Sequence, residues 1–154
     1  MIIHGDFETR SETELKDVGL DVYARHPSTD VWCFAWAIDD GEPEIWFPGM
    51  PAPAPTKLLA PSQILYAHNA QFELAIWNHI MVPRYGWPKI YPHSVRCTMA
   101  MAYAMSLPGS LENASAALGL TQQKDMAGHR LMIQMSRPRG YDEAGKPIWW
   151  DDYD

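Results

Sequence analysis

The stretch Ile2-Ile3-His4-Gly5-Asp6-Phe7-Glu8-Thr9 constrains this chain more than any other. In an extended strand, successive side chains point to opposite faces. Asp6 and Glu8 therefore share one face, with His4 ahead of them, while Ile3 and Phe7 turn toward a core. Two neighbouring carboxylates repel each other, and a divalent cation with oxygen ligands is the natural compensation. Taken alone, the Asp-x-Glu pair reads first as a solvated acidic edge, because short motifs recur by chance. Only further acids in a meaningful order change that reading.

A chain of 154 residues is most simply one domain with a sizeable core. Seven Trp are many for this length and supply large side chains to fill it. The net charge of −7 argues against a bulk electrostatic grip on nucleic acid. It leaves room for a nucleic-acid enzyme whose carboxylates hold metal and whose basic residues act locally. No apolar run is long enough to span a bilayer, so no membrane partner is expected. The first residues carry no basic region of a signal peptide, and the expected location is cytoplasmic. Cys33 and Cys97 are the two cysteines. Their wide separation fits two buried thiols in a reducing compartment and excludes a zinc ribbon or a redox Cys-x-x-Cys.

Residues 10–30 read as polar and irregular, with a short helical turn around Glu14–Val18. The apolar run Val31–Ile38 reads as a central strand, Asp39-Asp40-Gly41 as a turn, and Glu44–Phe47 as the returning strand. With the first stretch these make an antiparallel three-strand meander. A Pro-rich loop follows, then a short strand Ile64–Ala67. Gln71–Met81 reads as a helix with Phe72, Ile76 and Ile80 on one face, ended at Pro83. Val95–Met105 reads as a second helical stretch. Leu111–Leu118 reads as a third, between a Ser110 cap and a Gly119 stop, and Lys124–Met135 as a last one. The expected class is α/β, a mixed sheet with flanking helices in the order of a ribonuclease-H-like layout. Residues 1–140 form the domain and 141–154 a tail.

The second acidic site is His68-Asn69-Ala70-Gln71-Phe72-Glu73. Glu73 falls in the first turn of a helix, where the helix dipole favours an acid whatever its role. Asn69 reads as a cap, as a group that holds substrate, or as one that orients the acid. Together with Asp6 and Glu8 the order is informative: a strand bearing two acids, then a strand, bend and helix bearing a third.

These residues carry a specific resemblance. Asp6-Phe7-Glu8-Thr9 resembles the first motif of the DEDD-type 3′–5′ exonucleases. The run from His68 to Glu73 resembles their second, an Asn followed four positions on by an acid. Arg96-Cys97-Thr98-Met99 and Ser110-Leu111-Glu112-Asn113-Ala114 resemble the segment after it. Val18-Gly19-Leu20 and Tyr23-Ala24-Arg25-His26-Pro27 are similar to the exonuclease domains of phage-type family A DNA polymerases. The likeness spans most of residues 1–140. It departs from the family in two places. Glu73 stands where the family usually has Asp. The third motif, a Tyr or His followed four positions later by Asp, has no counterpart beyond residue 120: Tyr141 is followed by Gly145 and His129 by Ile133. On this resemblance the sequence looks like the front of an exonuclease domain that stops before its fourth acid. The spacing of Asp142, Asp151, Asp152 and Asp154 offers no substitute.

The resemblance implies a proofreading-type 3′–5′ exonuclease of a phage-type DNA polymerase, acting on the 3′ end of single-stranded DNA beside a polymerase domain in a bacterial or phage-infected cytoplasm. It implies two Mg²⁺ or Mn²⁺ ions about 4 Å apart. Asp6 would bridge them, Glu8 would help hold the ion that activates water, and Glu73 would serve the other. Phe7, Thr9, Asn69 and His68 would lie near the terminal nucleotide, though core packing is the first reading for Phe7. Weak metal binding and little or no activity are expected without the third motif. Two alternatives stand beside this: a free-standing DEDD exonuclease acting on RNA or short oligonucleotides, and a non-catalytic binding module of the same fold. Among the remaining residues, His4 reads as a strand histidine more than a ligand. His26, His79, His93 and His129 lack ligand spacing. Arg130, Arg137 and Arg139 read as solvated charges before phosphate contacts, and Trp149-Trp150 either as base-stacking or as sheet-packing rings.

Overall fold

The computed structural model describes residues 1–53, 63–121 and 125–150. Five strands form one mixed sheet: β1 (Ile2–Arg10), β2 (Asp30–Ile38), β3 (Glu44–Trp46), β4 (Ile64–Ala67) and β5 (Val95–Cys97). Their order is β3-β2-β1-β4-β5, so β1 lies at the centre. The first three strands are antiparallel, as the alternation and the turn predict. β4 runs parallel to β1 on its other side, and β5 parallel to β4.

One face of β1 carries Ile3, Phe7 and Thr9, all buried. Phe7 packs on Phe34 with ring centroids 4.5 Å apart, and Trp77, Trp87 and Trp46 extend the cluster. The indole N–H of Trp77 donates to Pro88 O at 2.7 Å and that of Trp46 to Met50 O at 3.1 Å, so these rings bury without an unpaired donor. Gly5 lies on this face as well. A Cβ there would stand 2.6 Å from the Phe34 ring, which is why the strand that bears the acids carries a glycine between its core positions.

Two short helices, α1 (Leu15–Val18) and α2 (Leu20–Arg25), fill the segment expected to be irregular. The sequence reading missed α2, whose buried Tyr23 and Ala24 are too few to set a period. Helix α3 follows β4 and covers the core: α-helical over Ala70–Ile76, π-helical over Trp77–Met81, α-helical again over Val82–Tyr85. It was expected to stop at Pro83 but runs on to Gly86, whose φ of +69 closes it. A proline would collide with the carbonyl four residues back in a straight α-helix. The widened π turn ahead of Pro83 takes up that misfit.

The stretch Val95–Met105 was expected to be helical throughout. Its first three residues are instead β5, recruited by the open edge of β4, and the helix α4 spans Thr98–Ala104. Helix α5 (Leu111–Ala117) has the expected cap, Ser110 Oγ accepting from Asn113 N–H at 3.3 Å, and Gly119 follows at φ +66. Helix α6 (Met126–Met135) is capped by Asp125. A small hairpin, β6 (Gly140–Tyr141) and β7 (Pro147–Ile148), ends the described chain. Both thiols, expected to be buried, are half-buried. No helix among the described residues is long and apolar enough to cross a membrane.

Candidate active site

Asp6 at the middle of β1 and Glu8 toward its C-terminal end lie beyond the stretch Ile2–His4 that pairs with β4, and His68 and Asn69 follow the C-terminal end of β4, its parallel neighbour. Ligand sites in open α/β sheets form beyond such strand ends. A cleft of about 350 Å³ opens here, and its walls include Asp6, Phe7, Glu8, Thr9, His68, Asn69 and Glu73. All seven residues expected from the sequence therefore meet in one place. A larger cleft, about 670 Å³, lies against α3 near β5, but no carboxylate lines it.

Two local irregularities shape the site. Between β1 and β2 the pairing steps from Glu8↔Cys33 to Thr9↔Val31, leaving Trp32 as an extra residue. Such bulges bend a strand and re-aim its side chains. Asn69 sits in the left-handed region at φ 66, ψ 48 and makes no side-chain cap hydrogen bond. Asn69 thus holds the N-cap position through its backbone, its carbonyl accepting from Phe72 N–H at 2.8 Å, while its side chain makes no cap bond. Asparagine tolerates that backbone better than most residues, which accounts for its place at the bend from β4 into α3.

The carboxylates differ in setting. Asp6 reaches solvent at the mouth, yet the surrounding walls desolvate it and raise its pKa, with His68 acting against that rise. Glu8 is half-buried and pushed up to about 7, first by desolvation and then by Asp6. Glu73 is 2% exposed. Burial pushes it up to about 8, with Asp6 adding to the rise and its own backbone and that of Phe7 opposing it. Its Oε2 atom is buried without a hydrogen-bond partner. Cys33, beside the acids, is pushed up to about 11 by burial and then by Glu8 and Asp6, so it is no thiolate nucleophile.

His68 is fixed at both ring nitrogens: Nε2 lies 2.7 Å from Gly109 O and Nδ1 3.0 Å from Thr98 Oγ1. A carbonyl has no proton to give, so Nε2 carries one and donates it. Thr9 Oγ1 lies 2.8 Å from Tyr23 Oη, which ties α2 to β1 beneath the cleft. Phe7 spends its ring in the core, 4% exposed, and only borders the cleft.

Among the described residues, no three His, Cys, Asp or Glu side chains are gathered as a ready metal cage. The donors nevertheless fit a hard cation. Three carboxylates share one cleft, one oxygen is buried and unpaired, and all three acids hold their protons above ordinary values. A nearby positive charge reverses that last condition.

Glu14, Tyr23, Phe72 and Met132 carry no local signal of a site, and Arg137 reads first as a solvated charge, yet all five line the cleft. Glu14 and Arg137 form an ion pair across 123 positions, a separation no local pattern reveals. Asp142 accepts from the amides of Ala144 and Lys146 in the hairpin turn. Asp151, Asp152 and Asp154 lie outside the described residues. Trp149, which was open to stacking on bases, lies over the Arg10 guanidinium at 4.9 Å, with Trp32 at 4.7 Å.

No protein-family model matches the chain. In sequence, 138 residues, or 86% of the chain, are 32% identical to a DNA polymerase of Bacillus phage SP02. The chain spans 20% of that polymerase's length. In structure it resembles the apo form of a nuclease, at a TM-score of 0.59 and 18% identity, over 94% of this chain and 62% of that one. It also resembles Brucella melitensis NrnC bound to pGG, at 0.54 and 18%, over 94% and 62%. NrnC with bound Mg²⁺ gives 0.50 and 17%, over 93% and 61%. The fold is the ribonuclease-H-like α/β plan of these nucleases. The polymerase match and the shared fold both support the DEDD-type exonuclease resemblance that the motifs carry.

Proposed function

We propose that the chain, a DEDD-type exonuclease domain by sequence likeness and by fold, is a metal-dependent 3′–5′ exonuclease acting on single-stranded DNA in company with a polymerase domain. The observation that carries this reading is the convergence of Asp6, Glu8 and the buried Glu73 on one cleft at the strand ends. In that reaction water adds to the terminal phosphate, the P–O3′ bond breaks and a 5′-mononucleotide leaves. Asp6, Glu8 and Glu73 are the residues that would hold Mg²⁺ or Mn²⁺, two ions by the resemblance. When bound, such ions supply Lewis acidity toward the attacking water and the departing 3′ oxygen.

The chain's own groups prepare the site. His68, locked by Gly109 and Thr98, faces Asp6 and favours its ionised form. Burial keeps Glu73 out of bulk water and holds its proton up to about 8, so a cation that binds there would displace that proton and meet a weakly screened carboxylate. Thr9 and Asn69 line the same cleft beside the acids, where a terminal nucleotide would rest. A second reading, a free-standing nuclease for RNA or short oligonucleotides, is favoured by the likeness to NrnC bound to pGG.

The test is digestion of a 5′-labelled single-stranded DNA with Mg²⁺ or Mn²⁺, alongside the same strand as RNA and an Asp6→Ala control. Stepwise shortening of DNA that vanishes in Asp6→Ala is the expected result. Preference for RNA selects the second reading. Shortening that survives the substitution, or none by folded protein, overturns both.

A further inference from the structure

Four carboxylates, Asp6, Glu8, Glu14 and Glu73, line the cleft, and an anionic strand has to enter it. Among the described lining residues one Lys or Arg faces them, Arg137. Its Nε donates to Glu14 Oε1 at 2.6 Å and its Nη2 to Glu14 Oε2 at 3.1 Å. Two guanidinium N–H groups thus meet two carboxylate oxygens, the geometry with which arginine also grips a phosphate. The pair is open to solvent, the side chains being 55% and 36% exposed. Exposed ion pairs hold weakly, so one anion is readily exchanged for another.

The backbone next to Arg137 is anchored without that pair. Ser11 N–H donates to Ser136 O at 3.0 Å, and the Trp32 indole N–H donates to Met135 O at 2.6 Å. The guanidinium is therefore placed by backbone hydrogen bonds that do not involve its own partner, which stays replaceable.

We propose that Arg137 holds a backbone phosphate of the substrate strand at the mouth of the cleft, and that Glu14 occupies its guanidinium until the strand arrives. This rests on the nuclease reading above and adds to it a phosphate contact outside the metal-holding acids. Glu14 acts as a competitor anion, lowering the affinity of a strand that must displace it from the guanidinium.

The experiment measures binding of a fluorescein-labelled single-stranded decathymidylate by the full chain in Ca²⁺, across a salt series. Arg137→Ala should weaken binding by about tenfold. It should also make the slope of log affinity against log salt shallower by about 0.7, the loss of one phosphate contact on a single strand. Glu14→Gln should move binding the other way and tighten it. Arg137→Lys, which keeps the charge and loses the fork, should weaken binding while leaving the salt slope in place. A purely structural clasp would instead make Arg137→Ala and Glu14→Gln weaken binding alike, and that result overturns the proposal. So does unchanged binding in Arg137→Ala when the unsubstituted chain binds and cuts. If the unsubstituted chain neither binds nor cuts, the nuclease reading falls and this proposal with it.

Discussion

Glu73 has one carboxylate oxygen with no partner, deep in the wall of the cleft. Its proton is the cheapest remedy in the absence of a cation, and that makes folding sensitive to pH. In the folded chain Glu8 and Glu73 hold protons up to about 7 and about 8, against an ordinary value of 4.5. Between those limits the folded state binds more protons at these two groups than the unfolded one, so their contribution to stability is fully present below 4.5 and is lost as pH rises through 7 and 8. Melting in a chelator across this window should show Tm falling; a flat or rising profile would contradict the burial described here. Mg²⁺ or Mn²⁺ should restore most stability at the upper end, where the acids are ionised and ready to bind. Glu73→Gln should flatten the decline and lose part of the restoration, both visible in the same melts. At this scale the acids were legible because alternation on β1 and the start of a helix are local patterns. Glu73's depth was not, since burial depends on what α3 packs against.

β1 owes its accuracy to close packing on one face and an open cleft on the other. Gly5 shows how little slack remains: an added Cβ meets Phe34 Cζ at 2.6 Å and Leu65 Cδ1 at 3.0 Å. Phe34 is fully buried and cannot swing away. Gly5→Ala should therefore destabilise the chain by about 1–3 kcal/mol through overpacking, read by denaturant titration. Asp6 neighbours Gly5, so the proposed nuclease activity should fall as well. The bend into α3 has its own requirement. Asn69→Ala forces a side chain without local hydrogen bonding into the left-handed region at a cost of about 1 kcal/mol, whereas Asn69→Gly should be tolerated by the backbone. Equal melting of the two variants would refute that account. Strand and helix placement followed from hydrophobic period and caps: β2, β4 and α5 fall where the pattern puts them. β5 and α2 escaped because three-residue pairing and a six-residue helix are decided by neighbours in space.

Across the whole molecule, the parallel pairs β1–β4 and β4–β5 were invisible to local pattern, since each joins segments far apart in the sequence. The same holds for α6, which brings Met132, Ser136 and Arg137 to the cleft. Helix α6 leaves Leu131 and Ile133 exposed, so apolar burial contributes little to its placement. Its C-terminal end hangs instead on a few directional contacts. The Trp32 indole reaches Met135 O, Ser11 reaches Ser136 O, and Arg10 lies between the rings of Trp32 and Trp149. Trp32 takes part in two of these because the bulge in β2 sets it apart from the regular pairing. Trp32→Phe keeps an aromatic face for Arg10 but leaves the Met135 carbonyl without its donor, a loss of about 1 kcal/mol. Elements held by few buried contacts open locally at low free energy. Hydrogen exchange of the α6 amides should therefore accelerate by several-fold in Trp32→Phe, while β1 and α3 keep their protection. If exchange rises equally everywhere, α6 opens only with the whole domain. If it does not rise at all, the indole is not what holds this end of the helix over the cleft.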